Sequence, residues 1–183
     1  MTVPDDAVPA WAVERVRVVP ADPRWQDEGL GLAAAVEHEL GARLAGRVQH
    51  IGSTSVPALA AKPVLDLMAE IRTFDDAPAI AAALAPSGWV LVPPELDAHP
   101  ARRFLVHVVD GTRHAHLHLV LEDSGELPRH LTFGNRLRAD PALRREYAAL
   151  KVALAARFPD DRERYTEGKA AFLRAATGPG AES

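Results

Sequence analysis

The sequence predicts a mixed α+β fold: a short β-sheet flanked by helices, then a C-terminal third that is wholly helical. Three observations carry this. Apolar runs of strand length recur between residues 48 and 121, most of them bounded by Gly or Pro. From Leu127 onward the pattern turns to capped helical segments with no strand signal. A chain of 183 residues, 48% of them apolar, suits one domain around one core.

The elements follow in order. Residues 1–13 read as a loose, Pro-containing leader, and 16–19 as a short strand closed by Pro20 and Pro23. Asp22 or Asp27 can cap a helix over 25–44, with Leu30, Ala33, Ala34, Leu40 and Leu44 at helical spacing and Gly41 and Gly46 ending it. A strand is expected at 48–51. It leads into a Gly-Ser turn, a helical segment of one or two turns between Pro57 and Pro63, and an apolar run at 64–69. A helix over 79–84 stops at Pro86 and Gly88, and a strand at 89–92 opens an exposed loop through 93–103. Strands at 104–109 and 114–121 flank Asp110-Gly111, a hairpin signal. Helices are expected over 127–139 and 141–157, then from a cap at Asp160 to about Ala176, before a disordered tail at 178–183. The single domain is expected over 14–177.

Composition narrows the function classes. No run of eighteen apolar residues marks a membrane span, and the acidic start has neither the basic nor the apolar region of an export signal, so the cytoplasm is the default expectation. Without cysteine there is no disulfide or thiolate chemistry. A net charge of −4 argues against broad nucleic-acid binding and leaves room for local basic patches. Oligomeric state is not readable from the sequence.

The chain is organised around residues 48–71. Gly52, Ser53, Thr54 and Ser55 put small hydroxyls and uncluttered backbone N–H groups at one turn, the usual means of holding a phosphate; a capped helix start is the plainer reading. Asp66 then stands alone in an apolar strand, on the face shared with Met68 and Glu70. An acid so placed is costly unless a metal, a cation or hydrogen-bond donors meet it. His50 precedes the turn and can orient a ligand or serve a turn carbonyl. Lys62 can neutralise a phosphate or Asp66 itself.

His114, His116 and His118 alternate along one strand, so their imidazoles share one face while Ala115, Leu117 and Leu119 form the other. Such a row is solvated, or a metal-ligand set, or a set of hydrogen-bond partners for a phosphate or substrate without a metal. With an antiparallel neighbour carrying Asp66, it would make a site of two histidines and a carboxylate. Zn or Mn suits those mixed ligands better than Mg. Arg102, Arg103 and Arg113 carry guanidinium forks suited to phosphate.

The run HIGSTSVPALAAKPVLDL resembles the GrpB family, a group within the nucleotidyltransferase-fold superfamily. Similar stretches are Trp25 in ADPRWQDEG, His116 and His118 in HAHLHLV, LTFGNRLRADP, Tyr147 and Lys151 in YAALK, and Tyr165 and Lys169 in YTEGK, so the resemblance covers about residues 16–173. It implies a nucleotidyltransferase-like fold, with a nucleoside triphosphate or another phosphorylated small molecule as ligand. It also implies a divalent ion (Mg, Mn or Zn) at Asp66, His116 and His118, which would be the catalytic residues. The phosphate set it implies is His50, Gly52, Ser53, Thr54, Ser55, Lys62 and Arg103, with the pairs Tyr147–Lys151 and Tyr165–Lys169 closing over it. Two departures stand out. Met68 occupies the second acidic position of the superfamily, and Gly134, Asn135 and Arg136 replace the family's acid-bearing segment. Nucleotidyl or phosphoryl transfer to a small acceptor therefore stands beside two alternatives: a binding module without chemistry, or a different acyl-transfer or ligase reaction on the same scaffold.

Overall fold

The computed structural model describes Trp11, residues 14–97 and residues 99–177. The rest of the expected leader and the tail at 178–183 lie outside the described residues. Five strands form one sheet in the order β1-β2-β5-β4-β3. They are β1 (Gln49–Ile51), β2 (Leu65–Ile71), β3 (Trp89–Val92), β4 (Arg103–Val109) and β5 (Thr112–Leu121). All neighbours are antiparallel except the central pair, in which β2 runs parallel to β5. The sequence reading had them antiparallel. The chain leaves β2, builds the outer strands β3 and β4, and returns through the hairpin at Asp110-Gly111, which delivers β5 in the same sense as β2.

Each face of the sheet is covered by different helices. One face, with Leu65, Leu67, Leu105, Leu117 and Leu119, packs on α1 (Arg24–Leu40) and α2 (Ala77–Leu84). The α1 stripe facing it is Trp25, Gly29, Ala33, Val36 and Leu40. Leu30, expected inside, is 63% exposed, because the stripe runs one residue behind it. The other face carries Ile51, Met68 and Val120 under Leu127 of α4 (Glu126–Ala139). Beyond it, α5 (Pro141–Arg157), α6 (Arg162–Glu167) and α7 (Ala170–Thr177) complete the helical third. No helix among the described residues is long and apolar enough to cross a membrane.

Four local expectations are corrected. Residues 16–19 form no strand; only Val19 pairs, in a single bridge to Ala61. The segment between Pro57 and Pro63 is not helical; its one helical turn comes earlier, at Ser53–Ser55. The loop after β3 contains a turn of helix, α3 (Pro94–Asp97). The last helix is two, parted at Gly168, where a Cβ would come within 2.5 Å of the Leu154 side chain. Its cap is Asp161, which accepts from the Arg164 N–H, rather than Asp160.

Candidate functional site

β2 and β5 bring the expected acid and histidines together by register. Asp66 lies opposite His116, and Met68 opposite His118. His116 Nδ1 is 2.9 Å from Asp66 Oδ1 and His118 Nε2 is 3.7 Å from the same oxygen. One ligand atom from each of the three residues lies within 4.8 Å of the others. His114 does not join them; its ring turns to His107, with 3.2 Å between the two Nδ1 atoms. Phe104 of β4 packs against both site imidazoles at 4.9 and 5.1 Å between ring centroids.

Guanidinium groups set the tautomers. Arg113 Nη1 lies 3.5 Å from His116 Nε2, and a guanidinium only donates, so the His116 proton sits on Nδ1 and is given to Asp66. Burial drives the His116 pKa down to about 4 against the pull of Asp66, so the ring is neutral at pH 7. Arg102 Nη1 lies 3.0 Å from His118 Nδ1, which leaves the His118 proton on Nε2, facing Asp66. Asp97 grips Arg102 from behind with two hydrogen bonds of 2.9 and 2.6 Å. Burial pushes the Asp66 carboxyl up, but the hydrogen bonds from the two imidazoles outweigh it and hold the acid well below the usual carboxylate range.

The turn before β2 is built from inside. Gly52 has φ 71° and ψ −169°, a backbone region essentially closed to other residues. The Thr54 hydroxyl meets His50 Nε2 at 3.0 Å, and the Ser55 hydroxyl donates to the Gly52 carbonyl at 2.8 Å. Arg138 of α4 donates to both the carbonyl and the hydroxyl of Ser55. Gly134, one turn earlier, lies beside the Arg138 guanidinium, and a Cβ there would sit 3.2 Å from Nη1. Thr54 and Ser55 are buried, so their hydroxyls hold the turn, and Ser53 is the half-buried hydroxyl of the three. The N–H groups of Ser53 and Thr54 have no partner among the described residues.

Three ammonium groups act on Asp66, beside this turn, and they are all the lysines the chain has, against eighteen arginines. Lys62 and Lys169 lie over the Tyr165 ring at 5.4 and 4.6 Å, and Lys151 lies over Tyr147 at 4.7 Å. Lys151 is 2% exposed and donates to the Ala60 carbonyl. Burial, and then repulsion from Lys169, lowers Lys62 to about 8 and Lys151 to about 7. Lys169 is lowered by burial too, and Asp66 draws all three back upward. Tyr147 and Tyr165 are buried, so they serve as platforms for the lysines; their phenols are pushed up by burial.

One expected site residue is elsewhere. Arg103 pairs in register with Leu119 on the opposite face of the sheet and stacks on Phe74 at 4.2 Å. Its neighbour Arg102 takes the site position. His130 of α4 was missed by sequence reasoning. It is half-buried, and burial followed by His118 and Arg129 lowers it to about 4.

A metal pair does not fit this site, because the second acidic position is Met68, which is 2% exposed beneath Leu127. A single ion does fit the donor set, one carboxylate and two imidazoles in reach of each other. It would have to displace the protons that the two imidazoles turn toward Asp66.

An α+β domain with a glycine turn, an in-strand acid and a facing histidine pair is the class the fold and the site define. Residues 15–178 match the family model for GrpB protein, and the chain belongs to the GrpB family. It is similar to the conserved protein GrpB from Enterococcus faecalis, at 30% identity and TM-score 0.76, over 88% of this chain and 94% of that one. It is 33% identical to the UPF0157 protein YqkA of Bacillus subtilis, over 70% of this chain and 37% of that protein. With a UPF0157 protein of Pseudomonas aeruginosa it shares 34% identity over 85% of this chain and 64% of the relative. The chain thus spans less than two thirds of the length of these two relatives.

Proposed function

We propose that this domain binds a nucleotide or another phosphorylated small molecule against the Gly52–Ser55 turn. The observation that carries this reading is the charge around the turn. Every lysine of the chain acts on one carboxylate, Asp66, which lies against Gly52, and all three sit at lowered pKa values. Buried, mutually repelling cations are costly unless an anion completes them. The unbonded N–H groups of Ser53 and Thr54 add donors at the same place.

The reaction this arrangement supports best is transfer of a nucleotidyl or phosphoryl group to a small acceptor. Lys62, Lys151 and Lys169 would neutralise the phosphates and Ser53 would bond them. With no ion bound, His116, neutral and oriented by Asp66, would accept a proton at Nε2 once Arg113 moves off it; an ion at Nδ1 would put the ring proton on Nε2 and replace that role. A single divalent ion, Mn or Zn more readily than Mg, would be held by Asp66, His116 and His118, and would supply charge to polarise a phosphoryl oxygen. A specific observation favours the second reading, a binding module without chemistry: Met68 removes the second acid that a two-ion reaction requires.

A thermal-shift screen of nucleotides with Mg, Mn and Zn tests the reading, since a ligand of the native state raises its midpoint. A nucleotide-dependent rise that Ser53→Leu abolishes supports it. No rise with any nucleotide, or one unchanged in Ser53→Leu, rejects it.

A further inference from the structure

A cationic cavity opens beside the lysine cluster. It holds about 530 Å³ between the segment around Glu14, the start of β5 and the start of α6. Arg17, Lys62, Arg113, His114 and Arg162 line it, in excess over the acids Glu14 and Asp110. Val64 and His114, on its wall, sit one step before the in-register pair Leu65–Ala115 and two before Asp66–His116.

The cations here are fixed in place but not neutralised. Arg113 Nε donates to the Trp11 carbonyl at 2.7 Å, and its guanidinium lies over the Trp11 ring at 5.0 Å. Arg162 Nη2 donates to the Glu14 carbonyl at 3.2 Å. The Glu14 carboxylate is taken by the backbone N–H of Arg113. Arg15, at the rim, is paired outward with Asp160. Among the described residues, none of Arg17, Lys62, Arg113 and Arg162 forms a salt bridge. Burial lowers the Arg162 guanidinium, with Glu14 offsetting part of it. Two half-buried guanidinium groups pressed together around an open cavity make a seat for an anion.

We propose that this cavity holds the anionic head group, phosphate or carboxylate, of a second small-molecule substrate. The proposal rests on reading the lysine cluster as the nucleotide site, and it makes the acceptor an acid. Lys62 belongs to both the lysine cluster and this cavity, and Arg113 Nη1 is 3.5 Å from His116 Nε2, so a head group on Arg113 stands one side chain away from the Asp66–His116 pair. Binding there would draw Arg113 toward the anion and release the His116 Nε2 lone pair. Charge state and position thus connect the two sites.

The test is a calorimetric titration of inorganic phosphate and, separately, of malonate into wild type, Arg162→Gln and Arg17→Gln. Arg17 is exposed, so its replacement keeps the fold intact if Arg162→Gln does not fold. The expected result is binding of at least one anion to wild type, weakened about tenfold in the variants; the tighter anion identifies the head group. No binding of either anion to wild type, or equal affinity in the variants, overturns the proposal. Nucleotide binding is measured on the same proteins and is expected unchanged in Arg17→Gln, whose side chain does not act on Lys62. Arginine-dependent anion binding in a protein that binds no nucleotide would leave this cavity standing and remove the lysine-cluster reading. The reverse pattern would do the opposite.

Discussion

Gly52 and Asp66 are in direct contact. A Cβ placed on Gly52 would lie 2.5 Å from Asp66 Oδ2 and 2.9 Å from its Cβ. Register explains the closeness, since Ile51 pairs with Asp66 and the turn folds straight back over the carboxylate. Glycine is thus required twice, for its φ of 71° and for the room. Gly52→Ala is expected to cost about 1–3 kcal/mol from backbone strain, read as a lowered urea midpoint with unchanged slope. It should also push Asp66 off His116. Wild-type stability in Gly52→Ala would mean that the turn is not held in this conformation.

Arg138 holds the same turn from the helical side. Its two hydrogen bonds to Ser55 cross from α4 to the residue that closes the cradle. The side chain is exposed, so Arg138→Ala should cost only about 1 kcal/mol of stability. Its larger effect is expected on the nucleotide-induced thermal shift, which should shrink as the turn loosens. A stability loss with a full-sized shift would show that Ser55 holds the cradle without help.

Arg102 controls whether an ion can use His118. While it donates to Nδ1, the ring proton is on Nε2, where a metal would have to bind. Arg102→Met frees Nδ1 to carry the proton. Zn titrated by calorimetry should then bind about tenfold more tightly than to wild type, since the ion no longer displaces a hydrogen bond from a charged group. Asp66→Asn and His118→Ala should each weaken Zn. Equal affinity in wild type and all three variants would dismiss an ion site at these residues.

Much of the site was legible because strand parity is a local property. Alternation alone put His116 and His118 on one face, away from Leu117 and Leu119, and singled out Asp66 in its apolar run. What alternation cannot carry is strand direction. Whether β5 lies parallel to β2 depends on the outer strands β3 and β4 and on which way the hairpin returns, all of it tertiary. The same limit explains the arginines. Arg102 and Arg103 are adjacent, yet extending β4 to Arg103 turns that side chain to Phe74 and leaves Arg102 for His118. Thr54 and Ser55 looked like ligands because hydroxyls at a turn can face either way; here they face in. The lysines were individually named, but their scarcity was the stronger signal: a chain using arginine eighteen times keeps lysine only at this cluster. His130 gave no sequence signal at all, because its nearness to His118 depends on how α4 crosses the sheet.

Those lysines make the last prediction, which concerns protons. Lys62 has a pKa of about 8 and Lys151 about 7, both below the ordinary lysine value of 10.5. The unfolded chain therefore holds more protons than the folded one between about pH 7 and 10.5, and the stability of the unliganded protein should rise with pH across that window. An anion reverses the shift, because it favours the charged amines and raises their pKa. At pH 8, Lys62 is about half protonated and Lys151 mostly neutral, so phosphate or nucleotide binding at the cluster should take up close to one proton or more. Calorimetry in two buffers of different ionisation enthalpy reads this directly as a difference in apparent binding heat. Lys151→Met should remove a large part of the uptake, and at pH 6, where both amines are already charged, it should nearly vanish. Binding with no proton uptake at pH 8 would place the anion away from Lys62 and Lys151.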